Sequence, residues 1–258
     1  VGVDGKAGFA PLALEAGRAP LAEAAREQGV AALALRRVFH FAALWPEVEA
    51  LAEEGLVALA CTCATPMVAP AGGKTPFYGT NPLAFGFPRT GGPPVVFDQA
   101  SAAMARGDVS IHARDGIPLP PGVGIGPDGE PTTDPATVLA GAQLPFGGYK
   151  GAAIAMMVEL LAGAVVGEVF SYQSSPPGGI KGTVPAGGEF ILAIDPDRFG
   201  HGTGWRDRAE AFFEALLAQE GTRLPGARRH ENRARTAREG IRVKTTPLAE
   251  IRMLADEA

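Results

Sequence analysis

The sequence predicts an α/β fold, in which helices and strands alternate along the chain. Residues 20–29 predict a helix, because Pro stands in the first turn and Gly follows the last turn. The apolar run at residues 30–35 predicts a strand. The pattern repeats with a helix over residues 46–55 and a strand over residues 56–63. The 258 residues also include 35 glycines and 23 prolines, which argues against a plain helical bundle.

The rest of the chain predicts further elements of both kinds. Residues 100–105 predict at least one helical turn, and residues 134–141 predict a helix that starts at an Asp-Pro pair. Residues 151–166 are apolar on nearly every side and predict a buried helix. We also expect strands at residues 95–97 and 190–194, a surface loop at 174–188, and helices at 209–218 and 227–239.

Composition excludes several classes of protein. The net charge is −5, whereas binders of nucleic acid or of membrane surfaces are usually basic, so we expect neither partner. No uncharged apolar stretch is long enough to span a bilayer, and no signal peptide is recognised after Val1. We therefore expect a cytoplasmic protein. Cys61 and Cys63 fall on one face of a predicted strand and are expected to be small buried residues, not metal ligands.

Two nucleotide-binding motifs match only in part. Residues 124–129 spell G-x-G-x-x-G, but prolines flank the run and no strand–turn–helix context surrounds it, so we reject a Rossmann site. Residues 73–75 resemble the end of a P-loop, but Val68 stands where the first Gly is required. Four widely spaced histidines show no metal-ligand spacing, and we expect no metal.

Several short polar, glycine-rich segments are hard to explain as core. The runs are HFAALWPEVEAL, TPFYGTNPLAF, FDQASAAMARGD, PTTDPATVLAGAQLPFGGYKG and RLPGARRHENR. Together, in this order, they resemble the type-2 malate/L-lactate dehydrogenase family of NAD(P)-dependent oxidoreductases. Within that family they look like the Δ1-piperideine-2-carboxylate/Δ1-pyrroline-2-carboxylate reductases. The resemblance extends from residue 3 to residue 243.

The resemblance implies an architecture and an activity. It implies a non-Rossmann mixed-sheet cofactor-binding domain packed with a helical domain, and a homodimer with its site at a domain cleft. We expect an α/β NAD(P)-binding region over residues 1–145, interleaved with a helical and strand region over residues 146–258. The implied reaction is NADPH-dependent reduction of a cyclic imine carboxylate to L-proline or L-pipecolate, with NADH also possible as the cofactor. The alternative within the family is a malate- or lactate-type 2-hydroxy-acid dehydrogenase.

The resemblance also implies the cofactor contacts. These are His40, Phe41, Ala42, Ala43 and Leu44; Phe97, Asp98 and Gln99; Tyr149 and Lys150; and Gly226, Ala227, Arg228, Arg229, His230, Glu231 and Asn232. From the residues alone, a strand-to-helix turn is the favoured interpretation of the first segment, and a turn residue or helix N-cap is the alternative at Asp98. A local basic patch includes Arg223, Arg228, Arg229, Arg233, Arg235 and Arg238. A phosphate-bearing ligand explains this patch, and a solvated helix face is the alternative.

Four residues match substrate-binding or catalytic positions of the family. Thr80, Arg106 and Gly107 are implied to hold the substrate, since the forked donors of Arg suit a carboxylate. Asp108 is the implied relay carboxylate, which holds a histidine in the correct tautomer. The alternatives are turn chemistry at Thr80 and a surface Arg–Asp pair.

One family feature has no match in this sequence. Family members carry an N-terminal helical segment with a Ser-His pair, which supplies the proton donor, and a later Arg that binds the substrate carboxylate. No Ser-His dipeptide occurs here. We therefore expect either a piece of a longer enzyme or a degenerate member. A non-catalytic protein that binds NADPH is the alternative from a different class.

Overall fold

The computed structural model describes residues 1–39, 43–174, 186–200, 202–243 and 245–256. In chain order, the elements of the first part are β1 (Gly2–Phe9), α1 (Ala10–Gln28), β2 (Val30–Phe39), α2 (Trp45–Glu53), β3 (Val57–Thr62), β4 (Leu83–Phe87), β5 (Val95–Gln99), α3 (Arg106–Asp115), β6 (Gly124–Ile125), β7 (Pro131–Thr132), α4 (Pro135–Ala140) and β8 (Ala142–Gln143). They continue with α5 (Tyr149–Val158), which runs into a π-helical stretch (Glu159–Val165), then a short 3-10 turn (Ser171–Gln173), β9 (Ala186–Ile194), α6 (Pro196–Phe199), α7 (Trp205–Leu217), α8 (Ala227–Glu239) and α9 (Thr245–Asp256).

A mixed sheet forms the centre of the described residues. Its strand order is β1-β2-β9-β3-β4-β5, and a smaller sheet has the order β7-β6-β8. The pair β1–β2 is parallel, whereas β2–β9, β9–β3, β3–β4 and β4–β5 are antiparallel. The predicted α/β class with a mixed sheet is confirmed.

Helix α1 and strand β2 enclose much of the core. Buried residues of α1 recur at helical spacing and pack on Leu33 and Leu35 of β2. Gly17 lies on this face, where an added Cβ would come within 2.7 Å of a Leu33 methyl carbon. Gly29 ends the helix in the left-handed conformation and donates its N–H to the Ala25 carbonyl at 2.8 Å, as the sequence predicts.

The predicted start of this helix is wrong. The helix begins at Ala10, with Pro11 in its first turn, and Pro20 lies inside it. Pro lacks the N–H that would bond to the carbonyl one turn earlier. Pro20 is exposed, so water can satisfy that carbonyl, and the helix continues through a residue that usually starts one.

Two further predictions are corrected. Residues 100–105 do not form a helical turn, and helix α3 begins only at Arg106. This segment is instead a bend with one isolated β-bridge, between Ala102 and Pro145, and the Ala103 N–H donates to the Leu144 carbonyl at 2.8 Å. The helix predicted over residues 151–166 exists but is not buried all round. Met156, Leu160 and Val165 are 50%, 51% and 67% exposed.

The structure confirms four of the predicted strands and four of the predicted helices, with shifted ends. The strands are those at residues 30–35, 56–63, 95–97 and 190–194, and the helices are those at residues 46–55, 134–141, 209–218 and 227–239. Most of the predicted loop at 174–188 lies outside the described residues. Residues 124–125 and 131–132 pair as a β-hairpin, in which the Gly126 N–H donates to the Glu130 carbonyl at 2.8 Å, so no helix begins directly after the G-x-G-x-x-G run.

Candidate cofactor and substrate site

A cleft of about 550 Å³ lies between β5 and the start of α8. It is lined by Val96, Phe97, Asp98, Gln99, Arg223, Leu224, Pro225, Gly226, Ala227, Arg228 and Arg229. Two segments that the resemblance links to the cofactor, far apart in the chain, therefore face each other. The volume lies within the range of small-molecule and cofactor sites.

Gly226 sets how closely α8 approaches the sheet. Its φ is +84°, and an added Cβ would lie 2.7 Å from the Val96 carbonyl oxygen. The Val96 N–H faces the Pro225 carbonyl at 3.4 Å, and a ring nitrogen of His230 lies 3.2 Å from the Pro94 carbonyl. Any residue with a side chain at position 226 would push the helix away from β5.

Asp98 joins β5 to the start of α2. Its Oδ2 accepts the N–H groups of Leu44 at 2.7 Å and Trp45 at 3.0 Å. Burial raises the pKa of Asp98 above its usual value, although these two hydrogen bonds and Arg229 act in the opposite direction. The carboxylate thus caps a helix from a neighbouring strand, which is close to the N-cap alternative considered for it.

The basic patch divides into paired and exposed arginines. Arg229 and Arg233 both donate to Glu49 of α2, at 3.2 and 2.6 Å, and both guanidinium groups stack on Trp45. Arg223 and Arg228 are exposed, and no hydrogen bond joins either side chain to another described residue. Glu231 and Asn232 are also exposed and lie outside the lining of the cleft.

Three of the glycine-rich segments converge just beyond the end of β5. The N–H and hydroxyl of Ser101 both donate to the Thr80 carbonyl, at 2.8 and 2.9 Å. The Ser101 carbonyl in turn accepts the Phe146 N–H at 3.0 Å. Gly151 permits this contact, since a Cβ there would lie 2.6 Å from the Phe146 oxygen and 2.7 Å from the Ser101 oxygen. Ser101 is two residues from Gln99, so this junction adjoins the cleft.

A buried polar network is centred on Asn81, the residue that follows Thr80. Asn81 is fully buried, with φ of +34°, and its amide donates to Glu159 at 2.7 Å and to the Ala155 carbonyl at 3.1 Å. Its oxygen accepts the Ala64 N–H and the Ser171 hydroxyl, both at 3.2 Å. Sequence reasoning missed this network. The signal was Glu159, a carboxylate inside an otherwise apolar helix, which requires a buried partner.

The predicted substrate residues at α3 lie on its first turn. Arg106 is half-buried and donates to the Leu139 carbonyl at 3.0 Å, and burial lowers its pKa. Gly107 and Asp108 are exposed. A Cβ at Gly107 would meet nothing within 4 Å, so packing does not require glycine there. No described histidine forms a hydrogen bond with Asp108; His112, one turn along, faces the Ile117 and Pro118 carbonyls.

The remaining predicted cofactor residues are less well grouped. Leu44 is fully buried in the core and offers the site only its backbone, whose N–H is bound to Asp98. Tyr149 and Lys150 are exposed at the start of α5 and do not line the cleft. Ala43 is described directly before Leu44, whereas His40, Phe41 and Ala42 lie outside the described residues.

The cysteines do not form a reactive pair. Cys61 is buried, as predicted, on the face of β3 that packs against Val158 and Ala162, whereas Cys63 lies one residue past the strand and is half-buried against the same cluster. Burial raises the pKa of Cys61 to about 12, and burial and the Glu159 carboxylate raise that of Cys63 further. Their thiolate forms are therefore disfavoured. In the described part of the chain, no helix is long and apolar enough to cross a membrane, and no cluster of His, Cys, Asp and Glu side chains suits a metal ion.

The fold is that of an α/β protein, and the cleft between β5 and α8 is lined in part by exposed arginines. The family model of malate/L-lactate dehydrogenase matches residues 1–252. The chain therefore belongs to the malate/L-lactate dehydrogenase family, which is a family of oxidoreductases.

Two relatives that are named as reductases are similar to this chain over most of its length. The chain is 49% identical over 254 residues to the Δ1-pyrroline-2-carboxylate reductase of Ancylobacter novellus, covering 98% of this chain and 74% of the relative. It is 50% identical over 243 residues to the Δ1-pyrroline-2-carboxylate/Δ1-piperideine-2-carboxylate reductase of Pseudomonas aeruginosa, covering 93% and 72%. The predicted family and the resemblance to these reductases are confirmed.

Solved structures agree with the sequence relatives. The structure of Δ1-piperideine-2-carboxylate reductase from Pseudomonas syringae superposes with a TM-score of 0.93 at 46% identity, covering 98% of this chain and 76% of that one. The sulfolactate dehydrogenase of Methanocaldococcus jannaschii superposes with a TM-score of 0.86 at 26% identity, covering 99% and 75%. The fold is shared across the family, while sequence identity is higher to the reductase.

Proposed function

We propose that this protein reduces a cyclic imine carboxylate, converting Δ1-pyrroline-2-carboxylate to L-proline or Δ1-piperideine-2-carboxylate to L-pipecolate. One observation carries the proposal. Identity to proteins named as these reductases is 49% and 50% in two cases, over nearly the whole chain. Identity to the sulfolactate dehydrogenase, which has the same fold, is only 26%. This difference favours the imine substrate over a 2-hydroxy acid.

The cleft between β5 and α8 fits a nicotinamide dinucleotide, and we assign the cofactor to it. When bound, the cofactor supplies the hydride that is added to C2 of the imine. Arg223 and Arg228 face the cleft without a described partner, so they are available to bind phosphate oxygens. The preference for NADPH rests on these two arginines, because the additional phosphate of NADPH adds negative charge to be bound. The antiparallel pair β4–β5 on one side of the cleft supports a binding mode different from the Rossmann fold.

The substrate is proposed to lie beyond the end of β5, near Thr80 and the first turn of α3. Arg106 uses one nitrogen on the Leu139 carbonyl, which leaves donors of its guanidinium for a substrate carboxylate. Gly107 exposes the backbone to the same ligand. The exposed Asp108 carboxylate is proposed to accept a hydrogen bond from a histidine that delivers the proton to the imine nitrogen. The family resemblance implies that this histidine comes from an N-terminal helical segment.

Steady-state kinetics test the reaction. NADPH oxidation is followed with each cyclic imine, and with pyruvate and oxaloacetate as the keto acids of the competing dehydrogenase reaction. We expect turnover of at least one imine with a kcat/KM well above that of either keto acid. Turnover of keto acids alone would favour the 2-hydroxy-acid dehydrogenase. Tight NADPH binding without any turnover would favour a non-catalytic binding protein.

Three finer proposals have their own measurements. Calorimetric titration with NADPH and NADH tests cofactor preference, and we expect tighter binding of NADPH. Sedimentation equilibrium tests the homodimer, which would be overturned by a single species of 26.5 kDa at all concentrations. Cell fractionation tests the cytoplasmic location.

A further inference from the structure

Glu49 occupies a position that neither the sequence nor the family resemblance singles out. It lies on the middle of α2, and its side chain is only 5% exposed. Arg229 and Arg233, one turn apart on α8, both donate to it. Burial by itself would raise the pKa of Glu49, but the two arginines outweigh that effect and the net pKa lies below the usual value. Glu49 is therefore a buried anion at neutral pH.

Three contacts, one of them made by Glu49, connect β5, α2 and α8 to one another. Asp98 ties β5 to the start of α2 through two backbone N–H groups. Gly226 lets the start of α8 rest on Val96 of β5. Glu49 joins α8 back to α2, and Trp45 lies against both arginines at 4.8 and 4.9 Å. The cleft is lined by β5 and the start of α8, and α2 contacts both of these walls from outside the cleft.

Arg229 links these contacts to the cleft. It lines the cleft, whereas Glu49, Arg233 and Trp45 do not. Its Nε is buried and has no hydrogen-bond partner among the described residues, so the guanidinium is held through its terminal nitrogen and through Trp45. An arginine fixed on both sides in this way keeps one orientation at the wall of the cleft, at a lower entropic cost for ligand binding.

We infer that Glu49 is a positioning residue for cofactor binding, acting through Arg229 and the first turn of α8. This inference rests on the proposed function, since it requires that the cleft bind a nicotinamide dinucleotide. Glu49 does not touch the cofactor. Its carboxylate instead holds the cleft wall in its binding geometry before the cofactor arrives.

Glu49→Gln tests the inference with Glu210→Gln as a matched control. Glu210 also receives an arginine, Arg89, at 2.7 Å, and Arg89 also stacks on an aromatic ring, Phe213, at 5.1 Å. Glu210 does not line the cleft. NADPH binding is measured by isothermal titration calorimetry, and thermal unfolding is recorded for both variants. We expect both to lose thermal stability, but only Glu49→Gln to bind NADPH more weakly, by about tenfold.

Kinetics add a second measurement. In Glu49→Gln, the KM for NADPH should rise by more than kcat falls, because a positioning residue for the cofactor changes binding before chemistry. If Glu49→Gln does not fold, Glu49→Asp is measured instead, because it retains the charge but shortens the side chain by one methylene. Its NADPH affinity should be lower than that of the wild type, and an unchanged affinity would overturn the inference.

The outcomes separate the inference from the proposed function. Wild-type protein that binds NADPH, together with a Glu49→Gln variant that binds it equally well, would overturn the inference and leave the function intact. An equal loss of NADPH affinity in Glu210→Gln would also overturn it, since the effect would then be one of general stability. A wild-type protein that binds neither NADPH nor NADH would reject the proposed function and the inference together.

Discussion

Asp98 shows how one side chain can serve the fold and border the site. Its carboxylate accepts the first two N–H groups at the start of α2, while the residue itself lines the cleft. A carboxylate at a helix start is favoured by the helix dipole, but burial here opposes its charge. The strength of the cap and the cost of the charge can therefore be separated by substitution.

We expect Asp98→Ala to lower the free energy of unfolding by about 1–2 kcal/mol, because two N–H groups lose their acceptor. Asp98→Asn should cost less, about 0.5–1 kcal/mol, since its amide oxygen still accepts and no charge is buried. Urea denaturation at neutral pH measures both. Equal losses in the two variants would mean that the charge, and not the acceptor, stabilises the start of α2.

The ionisation of Glu49 should make the free energy of unfolding depend on pH in the acidic range. Its folded-state pKa lies below the usual value of 4.5, since its two arginine partners outweigh burial. The stabilisation from this carboxylate is thus fully present above pH 4.5 and is lost as the pH falls through the folded pKa. We expect the stability difference between wild type and Glu49→Gln to shrink as the pH falls below that value. Urea denaturation across a pH series tests this, and a constant difference would contradict it.

The Asp108 side chain is exposed and forms no hydrogen bond to a described residue, so its replacement should leave the fold unchanged. In the imine-reduction assay, we expect Asp108→Asn to lower kcat by about 10²-fold or more, because the proton-donating histidine loses its orienting carboxylate. Asp115→Asn, at the other end of the same helix, is the control and should retain full kcat. Unchanged kcat in Asp108→Asn would reject the relay assignment.

At the scale of elements, the glycines of the site play different roles. Gly151 lies where the start of α5 meets the backbone of Phe146 and Ser101. Gly107 lies on the exposed first turn of α3, where an added Cβ would touch nothing. We expect Gly151→Ala to lower the free energy of unfolding by about 2–3 kcal/mol, since backbone atoms must move.

Gly107→Ala is the matched substitution and should be neutral or slightly stabilising, because Ala is the better helix former. Chemical denaturation of the two variants compares them directly. Weaker substrate binding in Gly107→Ala, despite unchanged stability, would support the proposed approach of substrate to that backbone. A large loss of stability would contradict the open geometry around Gly107.

Local sequence signals predicted most elements but not their full extents. Gly29 and Gly55 mark the ends of α1 and α2, since glycine at a helix end acts through its own backbone. Pro20 gave a wrong predicted start for α1, because the effect of a proline depends on which face of the helix it occupies. The exposure of Met156 and Leu160 could not be predicted either, because composition does not show which residues cover an apolar helix.

Part of the site could be predicted from the sequence. The segments around Asp98 and Arg228 were identified by resemblance, and the fold brings them to one cleft. The pairing of Arg229 with Glu49 spans 180 residues, and nothing in either local sequence indicates the partner. Arg233 likewise read as part of a phosphate-binding patch, yet its nearest charge is the Glu49 carboxylate at 2.6 Å.

At the scale of the whole molecule, the central sheet cannot be divided along the chain. Strand β9 pairs with β2 on one side and with β3 on the other, although both of those strands precede it by more than 120 residues. The two predicted regions, residues 1–145 and 146–258, therefore share one sheet. The boundary between them stays a prediction about function and does not separate independent cores.

We expect residues 1–145, produced alone, not to fold cooperatively. Without β9, the facing edges of β2 and β3 lose their hydrogen-bond partners, and Leu33 and Leu35 lose the contact with Ile191 in the core. Urea denaturation followed by circular dichroism should give no sigmoidal transition for this fragment. Co-expression with residues 146–258 should restore one, since both parts are then present to form the sheet. A cooperative transition of residues 1–145 alone would mean that β2 and β3 can close the sheet directly and that β9 is an addition to an independent domain.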